Sequence, residues 1–436
     1  MRLIHWRWAS LILGGILVLF MLLYLAGPFF RRPGVENRQT SPSISMDQGI
    51  EEFIRNYWRN PIPLQGTPPT FYTDVEASLS PEDCGSCHAE QYRDWKGSLH
   101  SMAMGPGPWG QIIDLTQSRQ QEGDHCMTCH APLSEQIQFV AKTTAQGQVN
   151  YEKNPHFDSR LQLRGITCAA CHVRRHQRFG PPIAEGASGQ RYPIDMKNHG
   201  GVKRTPYFER AEFCRDCHQF DPQNTLLVNG KPLQDTYREW KNSTWGKGGA
   251  ACQECHMPGR RHLWKGIHDP EMVKGGVRVE ARINGAPTAP GGPIEVELQV
   301  TNSAVGHKFP TYITPRVFVR AVLMDKTGSA LPGTQQESVI GRDVRSDTGQ
   351  WKEYFDTRIS PGESFRHTFK WTRPLQARKV RAWVEVHPDY FYHVHFYPAY
   401  LNGGSLSPEG KKLVEKALSE SGRTPYILFE KLIPLS

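Results

Sequence analysis

Hydrophobic and polar positions follow three different patterns along the 436-residue chain. Residues 8–30 carry no charged side chain, and as a helix at 1.5 Å per residue they span about 35 Å, enough to cross a bilayer. Between Cys84 and Met272, apolar residues occur in short groups separated by glycine and proline, which predicts short helices and loops. After about residue 275 apolar and polar residues alternate, as is typical of half-buried strands.

The C-terminal region contains four clearly alternating segments. They cover residues 277–283, 294–300, 317–323 and 380–386. With glycine and proline turns between them, these segments predict an antiparallel β-sandwich of about seven strands. Ser407-Pro408-Glu409 predicts a helix start with Gly422 as the stop, and residues 426–429 predict a final strand.

All ten cysteines occur in one repeated motif, C-x-x-C-H, which is the attachment sequence of c-type haem. Two thiols add across the two vinyl groups of one porphyrin, and the two intervening residues let both sulfurs reach the same edge. The adjacent histidine then lies under the ring and binds the iron. The five copies are Cys84/Cys87/His88, Cys126/Cys129/His130, Cys168/Cys171/His172, Cys214/Cys217/His218 and Cys252/Cys255/His256.

A zinc site or a redox C-x-x-C pair is the alternative for a single motif. Zinc takes four ligands per site and usually combines two motifs. Five identical copies, each ending in histidine, fit zinc poorly. The sequence therefore predicts five covalently attached haem c groups.

Five haems would also explain the composition. Hydrophobic residues make up only 38% of the chain, and the apolar N-terminal stretch takes part of that share. Porphyrins are large and apolar, so they supply interior that the side chains lack. Their roughly ten propionates offset the formal net charge of +9. Since no basic run with interleaved aromatic residues occurs, a nucleic-acid partner is not predicted.

The N-terminal stretch favours an uncleaved anchor over a signal peptide. The apolar part of a signal peptide is about 7–15 residues long and ends in a small-residue cleavage site. Here the stretch is longer, and the bulky Tyr24 precedes Ala26. Because c-type haem is attached outside the cytoplasm, the sequence predicts a single-pass protein of the cytoplasmic membrane. Its haem region would face the periplasmic or extracytoplasmic side.

The predicted fold class is multidomain α+β. Its parts are a transmembrane helix over 1–32, a tether with a short helix over 33–80, a mainly α and loop pentahaem domain over 81–272, and a β-sandwich with a C-terminal helix over 273–436.

An internal repeat lies within the predicted pentahaem domain. Residues 92–100 read Tyr-Arg-Asp-Trp-Lys-Gly-Ser-Leu-His, and residues 237–245 read Tyr-Arg-Glu-Trp-Lys-Asn-Ser-Thr-Trp. A tyrosine and a tryptophan three residues apart on a helix suit packing against a porphyrin. For the second copy, plain core packing is the interpretation that we accept at this point.

Each iron has a sixth coordination position, and 18 histidines minus five in the motifs leave thirteen that could fill it. The predicted distal ligands are His100, His199, His262, His268 and His307. His307 begins the β-region, so the sandwich would donate a ligand across the interface. The weaker alternatives are His125 and His176 and the thioethers of Met102 and Met104. We interpret His367, His387, His393 and His395 as sheet histidines that do not bind iron.

Three segments resemble the cytochrome c554-like multihaem family. They are residues 84–100 (CxxCH followed by YxxWxxSxH), the stretch Cys252-Gln-Glu-Cys-His-Met-Pro258 with its trailing histidines, and GHKFPT at 306–311. The resemblance covers about residues 80–320. It implies closely stacked haems, mostly with two histidine ligands, that carry electrons in respiratory chains. The family also contains, or lies near, enzymes of nitrogen-oxide chemistry.

Three functional hypotheses follow. The first is a membrane-anchored carrier that passes electrons from a respiratory-chain donor to a periplasmic or extracellular acceptor. Its partners would be redox proteins, and it could be a subunit of a membrane complex. The second is an oxidoreductase with one open haem iron that acts on a small nitrogen oxide or similar substrate, although the sequence lacks the C-x-x-C-K motif of ammonia-forming nitrite reductases. The third assigns a docking role to the β-region. No catalytic side chain is predicted.

Overall fold

The structure is a computed structural model that describes residues 49–115, 120–144, 147–183, 198–223, 225–285, 289–347, 350–403 and 406–435. Helices and short β-ribbons make up the first part of the described chain, and the sheets of the second part begin at Val277. This mixed, multidomain architecture agrees with the predicted class.

The helices of the first part are short, and they carry the five C-x-x-C-H motifs. They are Gly49–Tyr57, Asp74–Ala77, Pro81–Cys87, Ala89–Lys96, Pro106–Ile112, Gln120–His130, Ser159–Gln162, Cys168–His172, Glu212–His218, Thr236–Asn242, Thr244–Lys247, Cys252–His256 and Pro270–Gly276. Both cysteines of every motif lie in one helix. Because a turn contains 3.6 residues, cysteines three apart project from the same helix face.

Seven short strands in this part form small ribbons that the sequence did not predict. They are β1 (Phe139–Thr143), β2 (Val149–Lys153), β3 (Val173–Arg174), β4 (Gln177–Gly180), β5 (Val202–Arg204), β6 (Leu227–Val228) and β7 (Lys231–Pro232). Strands of two to five residues are too short to show a clear two-residue period.

The helix Gly49–Tyr57 packs into the core of the haem region. Ile54 and Trp58 are buried there together with Ala170 and Phe213. The short helix that the sequence predicts in the tether therefore packs against the haem region.

Two antiparallel sheets form the second part. Their strands are β8 (Val277–Ile283), β9 (Pro293–Asn302), β10 (Arg316–Met324), β11 (Gln336–Asp347), β12 (Gln350–Asp356), β13 (Ser364–Thr372), β14 (Lys379–His387) and β15 (Tyr426–Pro434). The strand orders are β12-β11-β10-β14-β15 and β13-β9-β8. Leu298 and Phe369 of one sheet share a hydrophobic core with Val319 and Val384 of the other. The four alternating segments and the final strand are thus observed as strands.

The C-terminal helix Pro408–Ser421 begins and ends where the sequence predicts. Ser407 caps it by accepting a hydrogen bond from the Gly410 amide, and Gly422 follows its last residue. The helix packs on Pro106–Ile112, where a Cβ at Gly110 would lie 2.9 Å from Val414 Cγ2. A glycine is therefore required for the two helices to approach this closely.

The predicted membrane location is corrected by the structure. The predicted span, residues 8–30, lies outside the described residues, and none of the helices within them is long and apolar enough to cross a bilayer. The longest described helix, Pro408–Ser421, has 14 residues and carries several lysines and glutamates. At 1.5 Å per residue it reaches about 21 Å, short of the roughly 30 Å of a hydrocarbon core. On the described residues, the prediction of a single-pass membrane protein is wrong.

A buried ion-pair network joins the ribbon β6–β7 to the larger sheet. Arg342 of β11 is fully buried and donates from Nε to Glu353 Oε2 at 2.7 Å. It also donates to the backbone carbonyl of Val228 at 2.9 Å. Lys231 bonds to the same Glu353 at 2.9 Å. These bonds connect the haem region to the sheets through groups that have little access to water.

Replacing Arg342 with methionine is expected to lower the free energy of unfolding by about 3 kcal/mol, because it removes one partner of a buried ion pair. Urea unfolding followed by circular dichroism measures the change. The matched control is Arg282→Met, which removes an ion pair to Glu297 from a side chain that is 70% exposed. That control is expected to cost less than about 1 kcal/mol. Equal losses in the two variants would contradict a structural role for the network.

Candidate haem centres

The cysteines of the five motifs are chemically available for thioether bonds. None of the ten, all of which are described residues, forms a disulfide, and the helical spacing directs each pair to one side of its helix. One cysteine is exposed in each of the first, second and fifth motifs, namely Cys87, Cys126 and Cys255. Both cysteines of the third and fourth motifs are partly buried.

Three attachment histidines face a second histidine ring from a distant part of the chain. The ring centres of His218 and His100 are 6.2 Å apart, and those of His172 and His262 are 6.1 Å apart. The third pair, His256 and His307, is separated by 6.3 Å with nearly parallel rings.

This separation is what one metal ion between two imidazoles requires. With a metal–nitrogen distance of about 2 Å and about 1 Å from each nitrogen to its ring centre, two opposed ligands have ring centres about 6 Å apart. Aromatic rings that contact each other directly also have centres about 4.5–7 Å apart, so the distance alone is not specific to a shared ion. What singles out these three pairs is that each combines an attachment histidine with a second histidine at a separation that could hold one haem iron between them.

Hydrogen bonds orient several of these imidazoles. The Nδ1 atoms of His172 and His256 lie 2.8 Å from the Phe179 carbonyl and 2.7 Å from the Lys265 carbonyl, respectively. His307 Nδ1 lies 2.9 Å from the Lys308 carbonyl. Because a carbonyl only accepts, each Nδ1 is the donor, and each Nε2 keeps the lone pair that binds a metal.

Burial keeps four of the six paired histidines neutral, namely His100, His172, His218 and His307. Desolvation lowers the pKa of His172, His218 and His307 to about 4 in each case, with neighbouring histidines lowering it further. His100 is shifted by desolvation and by His218 to a pKa of about 3. At neutral pH these rings are therefore in the unprotonated form that coordinates iron.

The first motif has a candidate partner in His199. Desolvation lowers the pKa of His199, and Arg178 and His88 lower it further, so His88 is close enough to act on His199 electrostatically. The His199 amide donates to Glu76 Oε1 at 2.8 Å, and Tyr72 donates to the His199 carbonyl at 2.5 Å. His199 has a φ of +41°, which is unusual for a residue with a side chain and is held by these contacts.

The second motif differs from the other four. His130 Nδ1 donates to the Ala103 carbonyl at 2.6 Å, so its Nε2 is also free to bind a metal. Within the described ranges, however, no histidine ring contact like those of the three pairs involves His130. The partly buried Tyr312 and Tyr392 hydrogen-bond to each other and act electrostatically with Cys129 and Cys126, respectively.

Other predicted ligands lie elsewhere. His268 Nε2 bonds to Asp389 at 3.0 Å and does not face an attachment histidine. His176 Nε2 bonds to the Gly66 carbonyl. Met102 is exposed, whereas Met104 is buried beside Met127. His367 and His387 lie in strands as interpreted, but His393 and His395 lie in the π-helix Phe391–Phe396, so that their assignment to the sheet is wrong.

Contacts between cysteines show which motifs are neighbours. The thiols of different motifs affect each other's pKa, which places the first motif beside the third (Cys84 with Cys168), the second beside the fourth (Cys129 with Cys217), and the fourth beside the fifth (Cys214 with Cys252). Cys171 of the third motif acts electrostatically on both cysteines of the fourth. The motifs therefore follow the order first, third, fourth, with the second and the fifth both adjoining the fourth.

Sequence reasoning missed Trp264, whose ring contacts two of the predicted ligands, His100 and His262. Its ring centre is 4.6 Å from that of His100 and 5.2 Å from that of His262, with steeply inclined ring planes. Its φ of +42° is strained for a tryptophan. The sequence indicated a role for Trp264 only through its place two residues after the candidate ligand His262.

Comparisons with known proteins show a similarity to multihaem c-type cytochromes. The model of the family "Cytochrome c554 and c-prime" matches residues 83–173. The cytochrome c nitrite reductase subunit NrfA of Nitratidesulfovibrio vulgaris is 25% identical over 219 residues, which are 44% of this chain and 39% of that relative. A crystal structure of a pentahaem cytochrome c552 from Thermochromatium tepidum matches 83% of this chain and 99% of its own with a TM-score of 0.53 and 19% identity. The structural match shows a shared fold, and the match to the nitrite reductase spans less than half of either protein.

Proposed function

We propose that this chain, which is a multihaem c-type cytochrome, binds five haems and carries electrons between protein redox partners. The observation that best supports this proposal is the spacing of 6.1–6.3 Å between ring centres in three pairs of histidines. An iron with two imidazole ligands has no position open to a substrate, which suits electron transfer.

The five motifs would hold the haems through ten thioethers and five proximal histidines. The distal ligands in this proposal are His199 for the first haem, His262 for the third, His100 for the fourth and His307 for the fifth. Each haem supplies an iron that changes between the ferric and ferrous states. The protein holds neutral imidazoles at fixed separation, and its hydrogen bonds fix their orientation.

The neighbour relations support a branched electron path. The three motifs at the tips, the first, second and fifth, each expose a cysteine, whereas both cysteines of the third and fourth motifs are partly buried. Electrons would therefore enter and leave through the exposed tips and pass through the inner third and fourth haems. Redox partner proteins would dock at the tips.

Electron paramagnetic resonance of the oxidised holoprotein tests the ligand assignment. Four haems with two histidines each are expected to give low-spin ferric signals, and absorption spectra should show the same four as six-coordinate. High-spin signals that amount to two or more haems per chain would contradict the proposed pairs.

A second candidate function rests on His130. Because its ring has no histidine partner among the described residues, the second iron could offer an open position, and the chain would then be an oxidoreductase for a small nitrogen oxide or similar substrate. The named activity of the NrfA relative points to the same chemistry.

Nitrite and hydroxylamine distinguish the two candidates. An electron carrier that has been fully reduced is expected to keep its electrons when either compound is added without a partner protein. An oxidoreductase would bind the compound at one high-spin haem and consume it in repeated cycles. If the protein consumes nitrite or hydroxylamine, and the variant with both Cys126→Ala and Cys129→Ala does not, the oxidoreductase function is supported and the carrier function is contradicted.

A further inference from the structure

The two copies of the internal repeat form the same set of contacts, which core packing alone does not explain. We name residues 92–100 the first clip and residues 237–245 the second clip. In each copy the rings of the tyrosine and the tryptophan lie together, with centres 5.8 Å apart in the first clip and 5.4 Å in the second. A serine three residues later donates to the tryptophan carbonyl in both, at 2.7 and 2.6 Å.

The tryptophan of each clip holds the start of an attachment helix. Trp95 Nε1 donates to the Ile166 carbonyl at 2.7 Å, two residues before Cys168. Trp240 Nε1 donates to the Ala250 carbonyl at 2.9 Å, two residues before Cys252. The last residue of each clip binds the same segment through its backbone. The amide of Ile166 donates to the His100 carbonyl, and the amide of Ala250 donates to the Trp245 carbonyl.

The acidic residue before each tryptophan holds a loop on the other side. Asp94 accepts from the backbone amide of His262 at 3.0 Å and from Arg261 at 2.6 and 2.7 Å. Its side chain is only 4% exposed. Hydrogen bonds to an ionised acceptor are shorter and stronger than neutral ones. The backbone at His262 is therefore firmly fixed.

Glu239 repeats this arrangement in the second clip. It accepts from the backbone amide of Lys308, the residue after His307, at 3.3 Å and from Arg358 at 2.9 Å. Thr311 donates to the same carboxylate at 2.5 Å. The side chain of Glu239 is 7% exposed.

The two anchor points of each clip belong to the same histidine pair. The first clip holds the helix of His172 and the loop of His262, whose ring centres are 6.1 Å apart. The second holds the helix of His256 and the loop of His307, whose ring centres are 6.3 Å apart. We propose that Asp94 and Glu239 are positioning residues, which fix the distal ligands His262 and His307 on the third and fifth haems.

The proposal rests on the proposed function, since it takes the ligand pairs from there. It corrects the interpretation of the second copy as plain core packing. Each copy of the repeat would thus fix the distance between the two histidines that bind one haem. The copies differ in their last residue, which is the proposed ligand His100 in the first clip and Trp245 in the second.

Spectra of Asp94→Asn and Glu239→Gln holoproteins test the proposal. The amide keeps the size of each side chain but weakens the charge-assisted bonds to the backbone amide. Each variant is expected to gain a high-spin component of up to one haem per chain, and free imidazole should restore the low-spin spectrum. Asp94→Glu should rescue the first clip.

The matched controls are Glu90→Gln and Asp235→Asn. Glu90 lies on the helix of the first clip, 3.6 Å from Arg261, and Asp235 precedes the helix of the second and pairs with Arg238. Neither accepts from an amide at a distal ligand among the described contacts, so both variants should keep the parent spectrum.

A His262→Gly variant separates failure of the clip from failure of the ligand assignment. If His262→Gly shows no high-spin haem, the assigned pair is wrong. If His262→Gly shows one but Asp94→Asn and Glu239→Gln do not, the positioning role is overturned. The positioning role would also be overturned if both amide variants lost all of their haems and Asp94→Glu, which keeps the carboxylate, lost them too.

Discussion

Removal of the fourth haem through Cys214→Ala and Cys217→Ala is expected to slow electron passage through the protein by more than about tenfold, equal to at least about 1.4 kcal/mol in activation free energy. The reason is its position, since the fourth motif adjoins the second, third and fifth motifs. Stopped-flow reduction, followed by transfer to an acceptor protein, measures the rate. Paramagnetic resonance should show the loss of magnetic coupling in three remaining haems.

The control for this prediction removes a tip of the branched path. Cys126→Ala with Cys129→Ala deletes the second haem, whose Cys129 adjoins Cys217 of the fourth motif. Transfer between the first and fifth haems should then continue at nearly the parent rate. Equal slowing in the two double variants would contradict the branched order.

Replacement of His307 with glycine is expected to convert the fifth haem from a six-coordinate to a five-coordinate iron. His307 faces His256 across 6.3 Å, and its Nδ1 donates to a carbonyl so that Nε2 points away from the loop. The expected result is a high-spin signal of one haem per chain, and added imidazole should abolish it. Absorption and paramagnetic resonance spectra measure the change.

His268→Gly is the matched control for this second variant. His268 was also a predicted ligand, but the structure pairs it with Asp389. Its removal should leave the coordination of every haem unchanged. An unchanged spectrum for His307→Gly, or a high-spin haem in His268→Gly, would contradict the assigned ligands.

Local signals made the attachment sites predictable. The two cysteines and the histidine of each motif lie within five consecutive residues, so the sequence alone predicts which atoms bind one porphyrin. The same holds for the C-terminal helix, whose cap at Ser407 and stop at Gly422 are read from adjacent residues.

Buried charges concealed one of the central strands. β11 contains Arg342 and Asp343 in the interior, where Arg342 bonds to Glu353 and Asp343 to Arg316. A charged pair at buried positions breaks the alternation that identifies a strand. The strand was therefore missed, although β8, β9, β10 and β14 were predicted from the same region.

Distal ligands are set by contacts between distant residues, which a single sequence does not record. His262 lies 90 positions after His172, and the list of candidate histidines gave no reason to pair them. The same gap led to the choice of His268, whose partner Asp389 is 121 residues away. The role of the repeat was likewise hidden, because its acidic residues act through backbone amides of other loops.

The intact mass of the mature protein tests the central claim most directly. The account predicts a polypeptide that carries five covalently bound haems, one for each C-x-x-C-H motif. A mature chain without bound tetrapyrrole, or one whose thiols hold zinc, would contradict it.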